Sequence, residues 1–118
     1  MTTTALFRHD ENAVTFTSGQ TIFTEGEAGD QMFVVVDGGV TLLVHGTVVE
    51  TLTAGGMFGG MALLGKEPRA ATAIANADCK LAPIDSKRFM FLIQQTPFFA
   101  LQMMQVMADR LRRMDQRL

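Results

Sequence analysis

Phe58-Gly59-Gly60-Met61-Ala62-Leu63-Leu64-Gly65-Lys66-Glu67-Pro68-Arg69-Ala70-Ala71-Thr72 is the stretch around which the chain is organised. Two glycines precede a short apolar turn, residues 61–64, whose first amide N–H groups lack intrahelical partners and are free to face a negative group. Pro68 stiffens the approach to Arg69. A guanidinium grips a phosphate through two parallel hydrogen bonds, so Arg69 beside free amides supplies both a fixed charge and a directional cage. Met61, Ala62 and Arg69 are therefore candidate ligand-binding residues. Met61 and Ala62 offer backbone N–H groups, Leu63 and Leu64 turn into the core, and Thr72 is a strand residue.

Outward from this stretch, short apolar runs rich in valine, isoleucine, phenylalanine and threonine recur at residues 14–16, 20–23, 32–36, 40–44, 48–52, 70–75 and 80–84. Seven runs spaced by about 8 to 12 residues point to a β-sandwich or jelly-roll barrel. Asp37-Gly38 and His45-Gly46 fit tight hairpin turns. The glycines at 26, 29, 55 and 56 read as turn and bulge positions. Residues 1–13 read as a loose tail leading into one short helix or extended segment without a functional role.

At Asp85-Ser86 the period changes from two to helical, because either side chain can cap a following turn. The first helix is predicted over 87–95. Thr96-Pro97 interrupts it, and a second helix runs from Pro97 to the end. Its Ala100, Met104, Met107, Leu111, Met114 and Leu118 alternate steps of four and three, the spacing of a coiled-coil seam. Phe98, Phe99 and Leu101 lie off that line and are expected on the barrel. The 118 residues are read as one domain, with 14–84 as the β-roll and 85–118 as the C-terminal helices.

The segment 58–72 closely resembles the phosphate-binding cassette of cyclic-nucleotide-binding domains: Phe-Gly-Glu, a small apolar turn, then Pro-Arg-Ala-Ala-Thr. Residues 22–35, Ile-Phe-Thr-Glu-Gly-Glu-Ala-Gly-Asp-Gln-Met-Phe-Val-Val, resemble the glycine-punctuated hairpin of that family. The resemblance implies a mainly β fold, a jelly-roll or double-stranded β-helix barrel with a short cassette helix and C-terminal helices. It also implies a regulatory module of the catabolite-activator-like sensor type, with cyclic AMP or cyclic GMP as ligand. Through the resemblance Phe58, Gly59, Gly60, Ala70 and Ala71 join Met61, Ala62 and Arg69 as candidate ligand-binding residues. Ala70 stands where relatives that prefer cyclic GMP tend to carry a hydroxyl, which leans toward cyclic AMP.

Gly60 departs from the pattern, since the family usually places there a glutamate that accepts a hydrogen bond from the ribose 2′-hydroxyl. A hydrogen bond to a charged acceptor is worth about 1.5 to 3 kcal/mol, so its loss corresponds to roughly 10- to 100-fold in affinity. Glu67 reads as a solvated loop acid, with reach toward the ribose as its alternative. The competing function is a degenerate domain that binds no nucleotide and serves for dimerisation or docking.

The net charge of −2 and pI near 5.6 give no long-range pull toward nucleic acid or an anionic membrane, so an anion has to be held locally. Arg110, Arg112, Arg113 and Arg117 interleave with Asp109 and Asp115 and read as a solvated helix face. The acids Asp30, Asp37, Asp78 and Asp85 fall in turn positions. His9 and His45 have no second ligand at metal-like spacing, and no paired acid and base stands out, so neither a metal, a cofactor nor an enzymatic activity is expected. Cys79, the single cysteine, reads as a small core residue. Without a signal peptide or membrane-spanning run, the chain is expected in the cytoplasm, as a homodimer through its final helix, acting on an effector protein in trans.

Overall fold

The computed structural model of the chain describes residues 3–60, Leu63 and 67–116. A short helix α1 (Thr3–Phe7) precedes eight strands: β1 (Val14–Phe16), β2 (Thr21–Phe23), β3 (Gln31–Asp37), β4 (Val40–Val44), β5 (Thr47–Leu52), β6 (Met57–Phe58), β7 (Thr72–Ala75) and β8 (Cys79–Asp85). Helices α2 (Ser86–Gln95) and α3 (Pro97–Gln116) close the chain. The strands form two antiparallel four-stranded sheets, ordered β1-β8-β3-β6 and β2-β7-β4-β5. This is the jelly roll with C-terminal helices that the sequence predicts.

Strand β3 explains why residues 32–36 are apolar without alternation. Phe33 and Val35 face the interior of the roll, beside Phe23, Phe58, Leu42 and Leu81, whereas Met32, Val34 and Val36 face a second core with Phe7, Phe89, Phe99 and Met103 from the helices. A strand buried on both faces has no polar side to display. Two cores thus share one strand.

His45 (φ 51) and Gly46 (φ 79) form the two-residue turn of the β4–β5 hairpin, both in the left-handed conformation that matches strand twist. Asp37-Gly38 differs from expectation. It joins β3 in one sheet to β4 in the other, so it is a corner between sheets and not a hairpin; the local turn chemistry is the same, and only the long-range pairing distinguishes them. The strand β6, two residues long, has no counterpart among the predicted runs. The N-terminal segment is also firmer than a loose tail: Phe7 is 1% exposed and makes edge-to-face contacts with Phe99, which in turn meets Phe89.

Asp85 caps α2, its carboxylate accepting from the Arg88 amide at 2.8 Å. Cys79 is buried in the roll, and that burial pushes its thiol pKa up.

Candidate functional site

The site forms where the end of β6, the β2–β3 loop and the approach to β7 meet. Phe58 is 1% exposed and its ring stacks on Phe33 at 5.4 Å, which anchors the start of the cassette in the roll. Gly59 follows with φ +84, a conformation that side chains resist, and a Cβ there would lie 2.8 Å from Arg69 Nη1. Gly60 and Leu63 are helical, and Leu63 is buried as expected. Met61, Ala62 and Leu64 lie outside the described residues.

Arg69 is locked first through its main chain. Its N–H donates to Glu27 O at 2.8 Å and its carbonyl accepts from the Gly26 amide at 2.8 Å, tying the cassette to the β2–β3 loop. The side chain then turns inward and is only 8% exposed. Nη1 donates to Gln31 O at 2.7 Å and to Gly59 O at 3.2 Å. The guanidinium carbon stands 4.1 Å from the centre of the Phe23 ring and 6.0 Å from that of Phe33, a cation–π arrangement. Burial lowers the Arg69 pKa from its usual value, opposed by the nearby charges of Asp30 and Glu27; arginine nonetheless stays charged.

No carboxylate forms an ion pair with Arg69 among the described residues, and Nε and Nη2 donate to no acceptor among them. A buried cation with uncommitted donors is costly unless an anion completes it. The arrangement can hold a phosphate-like group.

Ala70 is exposed and Ala71 half-buried. Glu67 is exposed, and Thr72 lies in β7 with its hydroxyl accepting from the Glu25 amide, a structural bond. His45 is at the surface, 3.5 Å from Glu25.

The other end of the cassette is covered by α3. A Cβ on Gly60 would lie 3.2 Å from the terminal methyl of Met103, itself 7% exposed. Phe99 and Met103 are buried, with Phe98, Ala100 and Met107 half-buried. Leu101, expected on the barrel, is instead 62% exposed. In the expected seam, Met104 and Leu111 are exposed, and the side chains of Met114 and Leu118 lie outside the described residues.

Two arginines expected to be solvated hold α3 down. Arg110 Nε pairs with Glu50 Oε2 at 2.8 Å and its Nη2 donates to Met57 O, while Arg113 Nη2 reaches Glu50 Oε1 at 2.5 Å. The Glu50 side chain is only 10% exposed. Phe23, Gln31, Glu50 and Met103 are site residues that the sequence did not single out. The spacing of Phe99, Met103 and Met107 in steps of four was the available signal for Met103.

A family model described as "Cyclic nucleotide-binding domain" matches residues 13–96. The chain is 40% identical over 83 residues to a cyclic nucleotide-gated potassium channel of Rhizobium etli, covering 70% of this chain and 23% of the channel. It thus spans under a quarter of that relative's length. Among solved structures, the Thermus thermophilus catabolite activator protein superposes with a TM-score of 0.78 at 29% identity, over 89% of this chain and 52% of that one. The regulatory domain of Toxoplasma gondii PKA, solved with cAMP, gives 0.63 at 36% identity over 69% of this chain and 33% of that one. The jelly roll agrees with these matches, and the chain belongs to the cyclic nucleotide-binding domain family.

Proposed function

We propose that this chain is a regulatory module that binds a cyclic nucleotide through residues 58–72, not an enzyme. The observation that carries this reading is Arg69, a buried guanidinium anchored by two carbonyls and short of an anion among the described residues. A cyclic phosphodiester carries one negative charge and two free oxygens, which suits the remaining Nε and Nη2 donors. Cyclic AMP is favoured over cyclic GMP, supported by the absence of a hydroxyl at Ala70 and by the cAMP held in the Toxoplasma gondii structure.

The response passes through α3 to a partner. Met103 against Gly60 supports a lid that feels the ligand, and the exposed Leu101, Met104 and Leu111, spaced by three and seven, support a homodimer seam and an effector surface. Among the described residues no helix is long and apolar enough to cross a membrane, and a free cysteine is compatible with the cytoplasm.

A second reading, a domain that has lost nucleotide binding and serves for dimerisation, is favoured by Gly60 and by the methyl of Met103 beside it. Calorimetric titration with cyclic AMP, cyclic GMP and an AMP control separates the two. Saturable binding of a cyclic nucleotide but not AMP supports the first. No binding of any of the three at about 1 mM, where a contact worth about 4 kcal/mol would register, leaves the second.

A further inference from the structure

The β2–β3 loop brings Gly29 against the guanidinium of Arg69. A Cβ at Gly29 would lie 2.2 Å from Nε, 2.4 Å from Cζ and 2.7 Å from Nη2, inside any tolerable contact. Three such similar distances put that Cβ over the flat of the guanidinium, not beyond one nitrogen. The Phe23 ring centre stands 4.1 Å from the same Cζ, so the head group lies against both the Gly29 main chain and an aromatic ring.

Gly29 also lies outside the left-handed region, unlike Gly26, which has φ +89 and open space around it. The turn therefore explains the glycine at 26 but not the one at 29. What position 29 requires is the lack of a side chain, and the group that requires it is Arg69.

From this we infer that Gly29 and Phe23 form a slot that sets the plane of the Arg69 head group, making both of them positioning residues for the bound anion. The inference rests on the phosphate-binding reading of Arg69. A guanidinium makes two parallel bonds to a phosphate only when the ligand oxygens lie near its own plane. Nη1 is committed to Gln31 O and Gly59 O, so the direction of Nε and Nη2 follows from the tilt of that plane. A methyl at 29 pushes the head group out of the slot, and loss of the ring at 23 lets it rock.

The test is a double-mutant cycle read two ways. Gly29→Ala and Phe23→Leu are each made in the wild-type and Arg69→Ala backgrounds, and melting temperature and cyclic AMP affinity are measured. Gly29→Ala is expected to weaken cyclic AMP binding by about tenfold or more, and Phe23→Leu by about fivefold, with circular dichroism unchanged. Gly29→Ala lowers the melting temperature in the wild-type background but not in the Arg69→Ala background, where the slot is empty; a variant that folds only in the latter background has the same meaning. Equal destabilisation in both backgrounds assigns the glycine to the turn and overturns the inference, as does unchanged affinity in Gly29→Ala. If the wild type binds no cyclic nucleotide, the functional reading falls, and the melting cycle alone decides whether the slot exists.

Discussion

The two ends of the cassette, nine residues apart, are built in opposite ways. At Arg69 the protein spends main-chain hydrogen bonds, an aromatic face and two carbonyl acceptors on fixing one charged group. At Gly60 it provides no side chain, and the neighbouring surface is a methyl delivered by a different element, α3. The first end is preorganised by the roll; the second takes its character from wherever the helix lies. Affinity that depends on the first is therefore intrinsic to the roll, and affinity that depends on the second is open to change by moving α3.

The largest expected effect breaks the first end. Arg69→Ala removes the buried guanidinium and should lower cyclic nucleotide affinity by more than about 100-fold in calorimetry, since two charge-assisted bonds would be lost together. An affinity within a few-fold of wild type would transfer the binding role elsewhere. Next, Gly60→Glu should sharpen the contrast by giving the second end an acceptor, raising affinity about tenfold. Its side chain has to displace the flexible tip of Met103, so the gain should be larger when Met103→Ala is added. No gain in either variant would mean that the sugar does not face Gly60.

A smaller effect comes from the fastening of α3. Glu50→Gln leaves Arg110 and Arg113 without their carboxylate and should cost about 1 kcal/mol of stability, with faster proteolysis of α3 than of the roll. Equal proteolysis of the two would show that the apolar contacts of Phe99 and Met103 suffice. The smallest effect on binding is expected from Met104→Glu combined with Leu111→Glu. These positions face solvent in one copy, so light scattering should fall from dimer to monomer while the nucleotide affinity changes less than about twofold. A wild type that is already monomeric at tens of micromolar, where a Kd near 1 μM would give mostly dimer, removes the seam.

How much of this was legible in the sequence depended on the range of the interaction. Strands and caps are local, so the runs at 14–16 and 40–44, the His45-Gly46 turn and the Asp85 cap read directly. Strand β6 did not, because two residues between glycines show no alternation. The helix α3 was legible but its rotation was not. Stripes through Ala100, Met104 and Met107 and through Phe99, Met103 and Met107 share their last residue and are centred about 70° apart on the helix, and a methionine-rich sequence satisfies both. Only the roll beneath selects the second. Likewise the charges of Arg110 and Arg113 resemble a solvated face until Glu50, 60 and 63 positions earlier, is folded against them. In the cassette, Arg69 and its glycines announced themselves by type, whereas Phe23 and Gln31 contribute a ring and a carbonyl that carry no distinctive signature.

The sharing of β3 between the two cores has a consequence for how the molecule comes apart. Val34 and Val35 are both fully buried, one in each core, and β3 is paired on its two sides by β8 and β6. Losing the helical layer exposes one face of the strand and losing the roll exposes the other, so neither layer can open far without weakening the support of the same backbone. Their amide hydrogens should accordingly exchange with solvent only through global opening, and the two cores should melt as one cooperative unit, with a calorimetric enthalpy equal to the van't Hoff value.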